Sequence, residues 1–177
     1  MSLGLHKEKV KLVPHNPKWA SLYDAEEEKL WSLLDDNVVD IQHVGSTSIP
    51  GIVAKPLMSI LITVKDLSSA KLWAAQLANE DYHIREDDER HLLYAKGPDD
   101  KRSYHLHVAP AGSEYAGITV LFRDYLRTHP AVAREYEGVK KDLAKKYADN
   151  RPEYGRNKAS FIMGIVEIAK SKRGKTQ

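Results

Sequence analysis

His105 and His107 lie one residue apart in the run Tyr104-His105-Leu106-His107-Val108-Ala109. Alternation along a strand sends both side chains to the same sheet face. Two imidazoles so placed can bind a divalent metal, hydrogen-bond a phosphate, or act as acid and base near neutral pH. His43, at the end of another β-branched run, can join them from a second strand. A third metal ligand is missing from the local sequence, and the pair can equally sit on an inner sheet face, hydrogen-bonded to Ser, Tyr or carboxylate neighbours. The second candidate is the turn His43-Val44-Gly45-Ser46-Thr47-Ser48-Ile49-Pro50-Gly51. Its small residues let main-chain N–H groups approach an anion, the hydroxyls of Ser46 and Thr47 add donors, and Lys55 adds positive charge. The plainer readings are a tight connection that requires Gly45 and a solvated lysine before Pro56.

Further cations carry either reading. Arg123 and Arg127 are four apart on a predicted helix and can clamp a phosphate or carboxylate, or pair with Asp124 and Glu135 on a solvated face. Tyr154 and Lys158 are one helical turn apart and can close over a pocket or form an ordinary surface pair. Arg102 precedes the histidine strand and can aim inward or stay hydrated in its turn. The acidic run at 86–89 reads as a solvated loop.

Several elements must position these groups. A short extended piece spans 10–13. Asn16 can cap a helix over 17–35 with Pro17 at its first position, and Trp19, Leu22, Tyr23, Leu30, Leu33 and Leu34 form its apolar stripe. Strands are expected at 38–44 and 57–64, framing the turn, and at 82–86, 91–96 and 102–109, with a helix from Asp66 or Ser68 to about Asn79. From 113 onward the periodicity is helical: 113–128, 130–148 and 152–170, the last two opening at Pro130 and near Pro152. The order predicts an α+β fold: a mixed sheet of about five strands with helices packed on one face and a helical C-terminal third.

The 177 residues, 42% of them hydrophobic, can bury one core, and no composition shift divides the chain, so 1–177 reads as a single domain. Residues 1–4 read as an appended remnant and 171–177 as a flexible tail. With 27 basic and 25 acidic residues the net charge is only +2, too balanced for broad attraction to nucleic acid or a membrane surface. Any phosphate binding must therefore be local. The absence of cysteine excludes thiol catalysis and thiolate metal sites. No signal-type segment is found, and Lys55 and Pro56 interrupt the apolar region at 52–64, so a cytoplasmic protein with no membrane partner is expected.

The turn, Lys96-Gly97 with Arg102, His105-Leu106-His107-Val108, Leu121-Phe122-Arg123-Asp124-Tyr125-Leu126-Arg127, and Tyr154 with Lys158 and Phe161-Ile162 together resemble the GrpB family, a branch of the nucleotidyltransferase superfamily. The resemblance covers nearly the whole chain and implies a nucleotidyltransferase-like sheet. Where the family pattern reads Lys-Pro-Ile-Ile-Asp-Ile, this chain reads Lys55-Pro56-Leu57-Met58-Ser59-Ile60, so the expected carboxylate is Ser59. A serine hydroxyl brings no charge to offset stripping water from a dication. The expectation is a binder of a nucleotide or other phosphorylated small molecule, with Mg2+ needed only if the chain is an active transferase. Some family members are joined to dephospho-coenzyme A kinase, which makes a coenzyme A precursor one ligand to test.

Overall fold

The computed structural model describes residues 3–173. Helix α1 (Lys18–Leu33) begins where the Asn16 side-chain oxygen accepts the Lys18 N–H at 3.1 Å. Strands β1 (Val38–Val44) and β2 (Met58–Val64) flank the Gly-Ser turn, a 3₁₀ segment at Ser46–Ser48. Asp66 accepts the Ser68 and Ser69 N–H groups and so caps α2 (Leu67–Ala70), which runs through a 3₁₀ turn into α3 (Ala74–Asn79). β3 (Tyr82–Asp87), β4 (Leu92–Lys96) and β5 (Tyr104–Pro110) follow. The chain then becomes helical: α4 (Glu114–Thr128), α5 (Pro130–Lys146) and α6 (Arg151–Arg173). The piece at 10–13 forms only an isolated bridge, Val13 to Ala54. Of the tail expected to be flexible, residues 171–173 continue α6, and 174–177 lie outside the described residues, as do 1 and 2. At the other end, the Gly4 N–H donates to the Pro56 carbonyl at 2.9 Å.

The five strands form one mixed sheet in the order β1-β2-β5-β4-β3, with β2 and β5 parallel and the other neighbours antiparallel. Register decides which side chains share a face. Ser59 lies opposite His105 and Leu61 opposite His107. On β1, Ile41 lies opposite Ile62 and His43 opposite Ile60, which belong to the other face.

That other face is buried under α1, α2 and α3. Trp19, Leu30, Trp73 and Leu77 pack there on Met58, Ile60, Ile62, Leu106 and Val108. Each such side chain, fully buried, contributes about 1.5–3 kcal/mol. The expected helical cover of one face is thus present, and α4 adds to it by touching the opposite face at one end, where Ala116 meets Val44, Leu61 and Ala109. The rest of that second face opens to a cleft. A separate core joins α4, α5 and α6 through Phe122, Leu126, Tyr136, Ile165 and Val166, and Ile49 and Ile52 of the β1–β2 connection plug into it. The Gly-Ser turn is thereby held between sheet and helical layer.

Candidate functional site

Gly45 ends β1 with φ 71°, a conformation that L side chains resist, and a Cβ there would stand 3.2 Å from the Ser59 Cβ. Glycine therefore draws the turn tight against β2. The Ser48 hydroxyl closes it by donating to the Gly45 carbonyl at 2.6 Å.

Behind this turn lies a cleft of about 200 Å³. Gly45, Ser46 and Thr47 form one wall, Ser59, His105 and His107 form the sheet side, and Lys55 enters from the β1–β2 connection. The helical layer supplies Lys140 from α5 and Arg151, Tyr154 and Lys158 from α6. No carboxylate among the described residues lines the space.

Four cations gathered with only Glu137, outside the cleft lining, acting as a counter-charge on Lys140 repel one another and lose hydration. Burial, then repulsion from Arg151, Lys158 and Lys140, holds Lys55 well below its ordinary value. Lys140 is only 1% exposed. Its ammonium donates to the Val53 carbonyl, and burial followed by repulsion from Lys158 pushes it down to about 7. Arg151 is lowered to about 10 by burial and by Arg102. Tyr154, buried between them, offers its ring face to two ammonium groups, Lys55 Nζ at 5.3 Å and Lys158 Nζ at 5.8 Å from the centroid.

The imidazoles are held neutral. Burial first, then His107, lowers His105 to about 2, and burial first, then His91, lowers His107 to about 4. His107 Nδ1 lies 2.8 Å from the Tyr115 hydroxyl, whereas the buried Nε2 of His105 has no hydrogen-bond partner among the described residues. Such an atom faces a desolvation cost until something bonds it.

Of the groups singled out from sequence, Gly45, Ser46, Thr47, Lys55, Ser59, His105, His107, Tyr154 and Lys158 meet in this cleft. His43, Arg102, Arg123 and Arg127 do not line it. His43 points to the opposite sheet face, where it stacks on Tyr23 at 4.9 Å, and its Nε2 lies 2.9 Å from the Thr47 hydroxyl. Arg123 is 8% exposed and spends Nη1 on the His43 carbonyl at 3.0 Å and Nε on Asp124. Arg127 Nε donates to the Ser48 carbonyl at 2.9 Å. These two arginines brace the main chain at both ends of the turn, and Arg127 lines a separate cavity with His15, His43 and Ser48. Arg102 is paired with Asp99 at 2.6 Å.

Sequence reasoning missed Lys140 and Arg151. Lys140 carried a signal: it follows Ala133 by seven residues and Tyr136 by four, on the buried stripe of α5, where an unpaired lysine is unusual. Arg151 opens α6 beside Pro152 and gave no such sign.

The chain matches the family model described as GrpB protein over residues 9–167. It is 35% identical to the glutamate-rich protein GrpB of Alkalihalophilus pseudofirmus, over 93% of this chain and 98% of that one. It is 34% identical to YqkA of Bacillus subtilis over 93% of this chain, which spans only 48% of that longer relative. A weaker likeness, 27% identity over 75% of this chain and 39% of the other, is to a protein named dephospho-CoA kinase from Mycolicibacterium paratuberculosis. Among solved structures, conserved protein GrpB from Enterococcus faecalis superposes with a TM-score of 0.84 at 28% identity, covering 92% of this chain and 99% of that one. Cid1, described as having RNA terminal uridylyl transferase activity, superposes at 0.50 with 12% identity, covering 75% and 42%. The second likeness concerns the fold alone. No helix among the described residues is long and apolar enough to cross a membrane.

Proposed function

The chain belongs to the GrpB family, and on that premise we propose that its cleft binds a nucleotide or another phosphorylated small molecule without a divalent ion. One observation carries the reading: Lys55, Lys140, Arg151 and Lys158 converge on a space that no carboxylate lines. A phosphate chain supplies the missing negative charge, and the Ser46 and Thr47 hydroxyls, the Gly45 turn and the unpaired Nε2 of His105 supply hydrogen-bonding partners.

The donor set does not suit Mg2+. That ion requires hard, preferably anionic oxygen ligands, and the cleft offers a serine hydroxyl, two neutral imidazoles and four cations. Among the described residues no three His, Asp or Glu side chains stand together as a metal site. Classical metal-dependent nucleotidyl transfer is therefore not the activity proposed, although the sheet resembles that of such an enzyme. The likeness to a protein named dephospho-CoA kinase places coenzyme A precursors in the ligand panel.

Titration calorimetry with ATP, dephospho-coenzyme A and tripolyphosphate, in EDTA and in excess Mg2+, tests the reading. Binding is expected in EDTA, and Lys55→Met and Lys158→Met should each weaken it by about tenfold or more, as for loss of a hydrogen bond to a charged group. Binding that appears only with Mg2+, or transfer of labelled nucleotide with Mg2+ or Mn2+, would favour the transferase instead.

A further inference from the structure

The cationic cleft does not end at Ser59. A second cavity of about 230 Å³ adjoins it and shares Gly45, Ser46, Ser59, His107 and Lys158 as common lining. Beyond those shared residues its character changes: Val44, Ile118, Phe122, Ile162, Tyr115 and Tyr136 make its walls, and no described residue there carries charge. Neither cavity alone reaches the roughly 300–1,000 Å³ usual for a small-molecule pocket, whereas the two adjoin across five shared lining residues and so can serve as two lobes of one site.

The aromatic walls are fixed. Phe122 meets Tyr136 edge to face at 5.2 Å, Tyr115 stacks on His91 at 4.6 Å, and the Tyr115 hydroxyl is tied to His107. Rigid rings around a small apolar space favour a flat, polarisable guest over a flexible aliphatic one, because little conformational freedom is lost on either side.

We propose that the two lobes together recognise an aromatic ring joined to a phosphate chain, the phosphates lying among Lys55, Lys140, Arg151 and Lys158 and the ring between Tyr115, Phe122 and Ile162. This deepens the phosphate-binding reading and rests on it. A nucleobase is the common biological ring of that kind, whereas a phosphorylated sugar, glycerol phosphate or an inorganic polyphosphate leaves the apolar lobe empty. Ser59 and His107, which line both lobes, then lie at the junction between the ring-bearing half of the ligand and its phosphates.

The test compares ATP, tripolyphosphate and glycerol 3-phosphate on the full chain in EDTA. ATP should bind about tenfold or more tightly than tripolyphosphate, the order expected for one base gaining aromatic contact. Thr119 lines only the apolar lobe, and Thr119→Trp fills it. That variant should erase the advantage of ATP and leave tripolyphosphate affinity unchanged, while Lys158→Met should weaken both. Should Thr119→Trp fold poorly, intermolecular NOEs between adenine protons and the rings of Tyr115 and Phe122 in the unsubstituted protein give the same answer, and their absence overturns the proposal. Equal affinity for ATP and tripolyphosphate overturns it but leaves the phosphate site standing. No binding of either removes both.

Discussion

Raising the pH from 7 to 9 should weaken the binding of a phosphate ester by about fiftyfold, and Lys140 is the reason. In the free protein this ammonium titrates at about 7, so half of the molecules carry its charge at pH 7 and about one in a hundred at pH 9. A bound phosphate adds to the attraction of Glu137, offsets the repulsion of Lys158 and Lys141, and returns the group toward its ordinary value of 10.5, which keeps it charged across the window. The ligand must therefore bring a proton with it. The protonation penalty rises from about twofold at pH 7 to about a hundredfold at pH 9, a difference of about 2.3 kcal/mol. Lys55, also held below its ordinary value, adds to the loss with the same sign. AMP suits the assay because its second ionisation, near pH 6, is complete over most of this range. Calorimetry in two buffers of different ionisation enthalpy at pH 8 should record uptake of about one proton per ligand by Lys140, to which Lys55 adds. Lys140→Met should flatten the profile. Constant affinity between pH 7 and 9, with no proton uptake, would refute the reasoning.

Other outcomes follow from groups around the same turn. His43 and His107 titrate at about 4 in the folded chain and at 6.5 when unfolded, so the native state binds fewer protons and stability is lost as pH falls below 6.5. At pH 5 each costs about 2 kcal/mol. His105, lowered further, acts in the same direction. Urea titrations at pH 7.5 and 5 measure this, and His107→Gln should lose less on acidification than the parent; equal losses would contradict the assignment. Lys140 acts with the same sign in a higher window of the free protein, because the unfolded chain holds its proton up to 10.5, so stability should go on rising as pH climbs above 7 and Lys140→Met should lack that rise in thermal melts. Arg123→Met leaves the buried His43 carbonyl unpaired and should cost about 1–3 kcal/mol in urea unfolding, whereas Lys158→Met should leave stability unchanged or raised. The reverse ranking would return Arg123 to the ligand. Gly45→Ala adds about 1–3 kcal/mol of positive-φ strain and a contact with Ser59, and should lower the melting temperature together with AMP affinity.

The elements were legible where periodicity and punctuation agreed. Pro17, Pro130 and Pro152 mark helix starts within a residue or two, and the apolar run of β2 reads as a buried strand because both its neighbours cover it. Alternation also placed His105 and His107 on one face without error, since that relation is internal to one strand. It says nothing about which face a residue on another strand shares. His43 is decided by its pairing with Ile60, and one residue of register would have reversed the outcome. Arg123 and Arg127 show the same limit on a helix: their spacing makes them neighbours, but only packing determines whether a ligand or a main-chain carbonyl receives their N–H groups. Lys140 lies on the apolar stripe of α5, but lysines on helices usually keep the ammonium in water, so its inward aim follows from packing and not from spacing.

Ile49 and Ile52 leave the sheet to lodge in the core of the last three helices, and those helices carry Lys140, Arg151 and Lys158. The turn and its cations thus come from stretches translated far apart in time. On the ribosome, the nascent polypeptide can complete β1 through β5 while still lacking most of the positive groups of the cleft. On the proposed phosphate-binding reading, affinity for an anionic guest would be acquired only after α6 has emerged and docked, so a prematurely terminated product that keeps the whole sheet is expected to sequester no ligand.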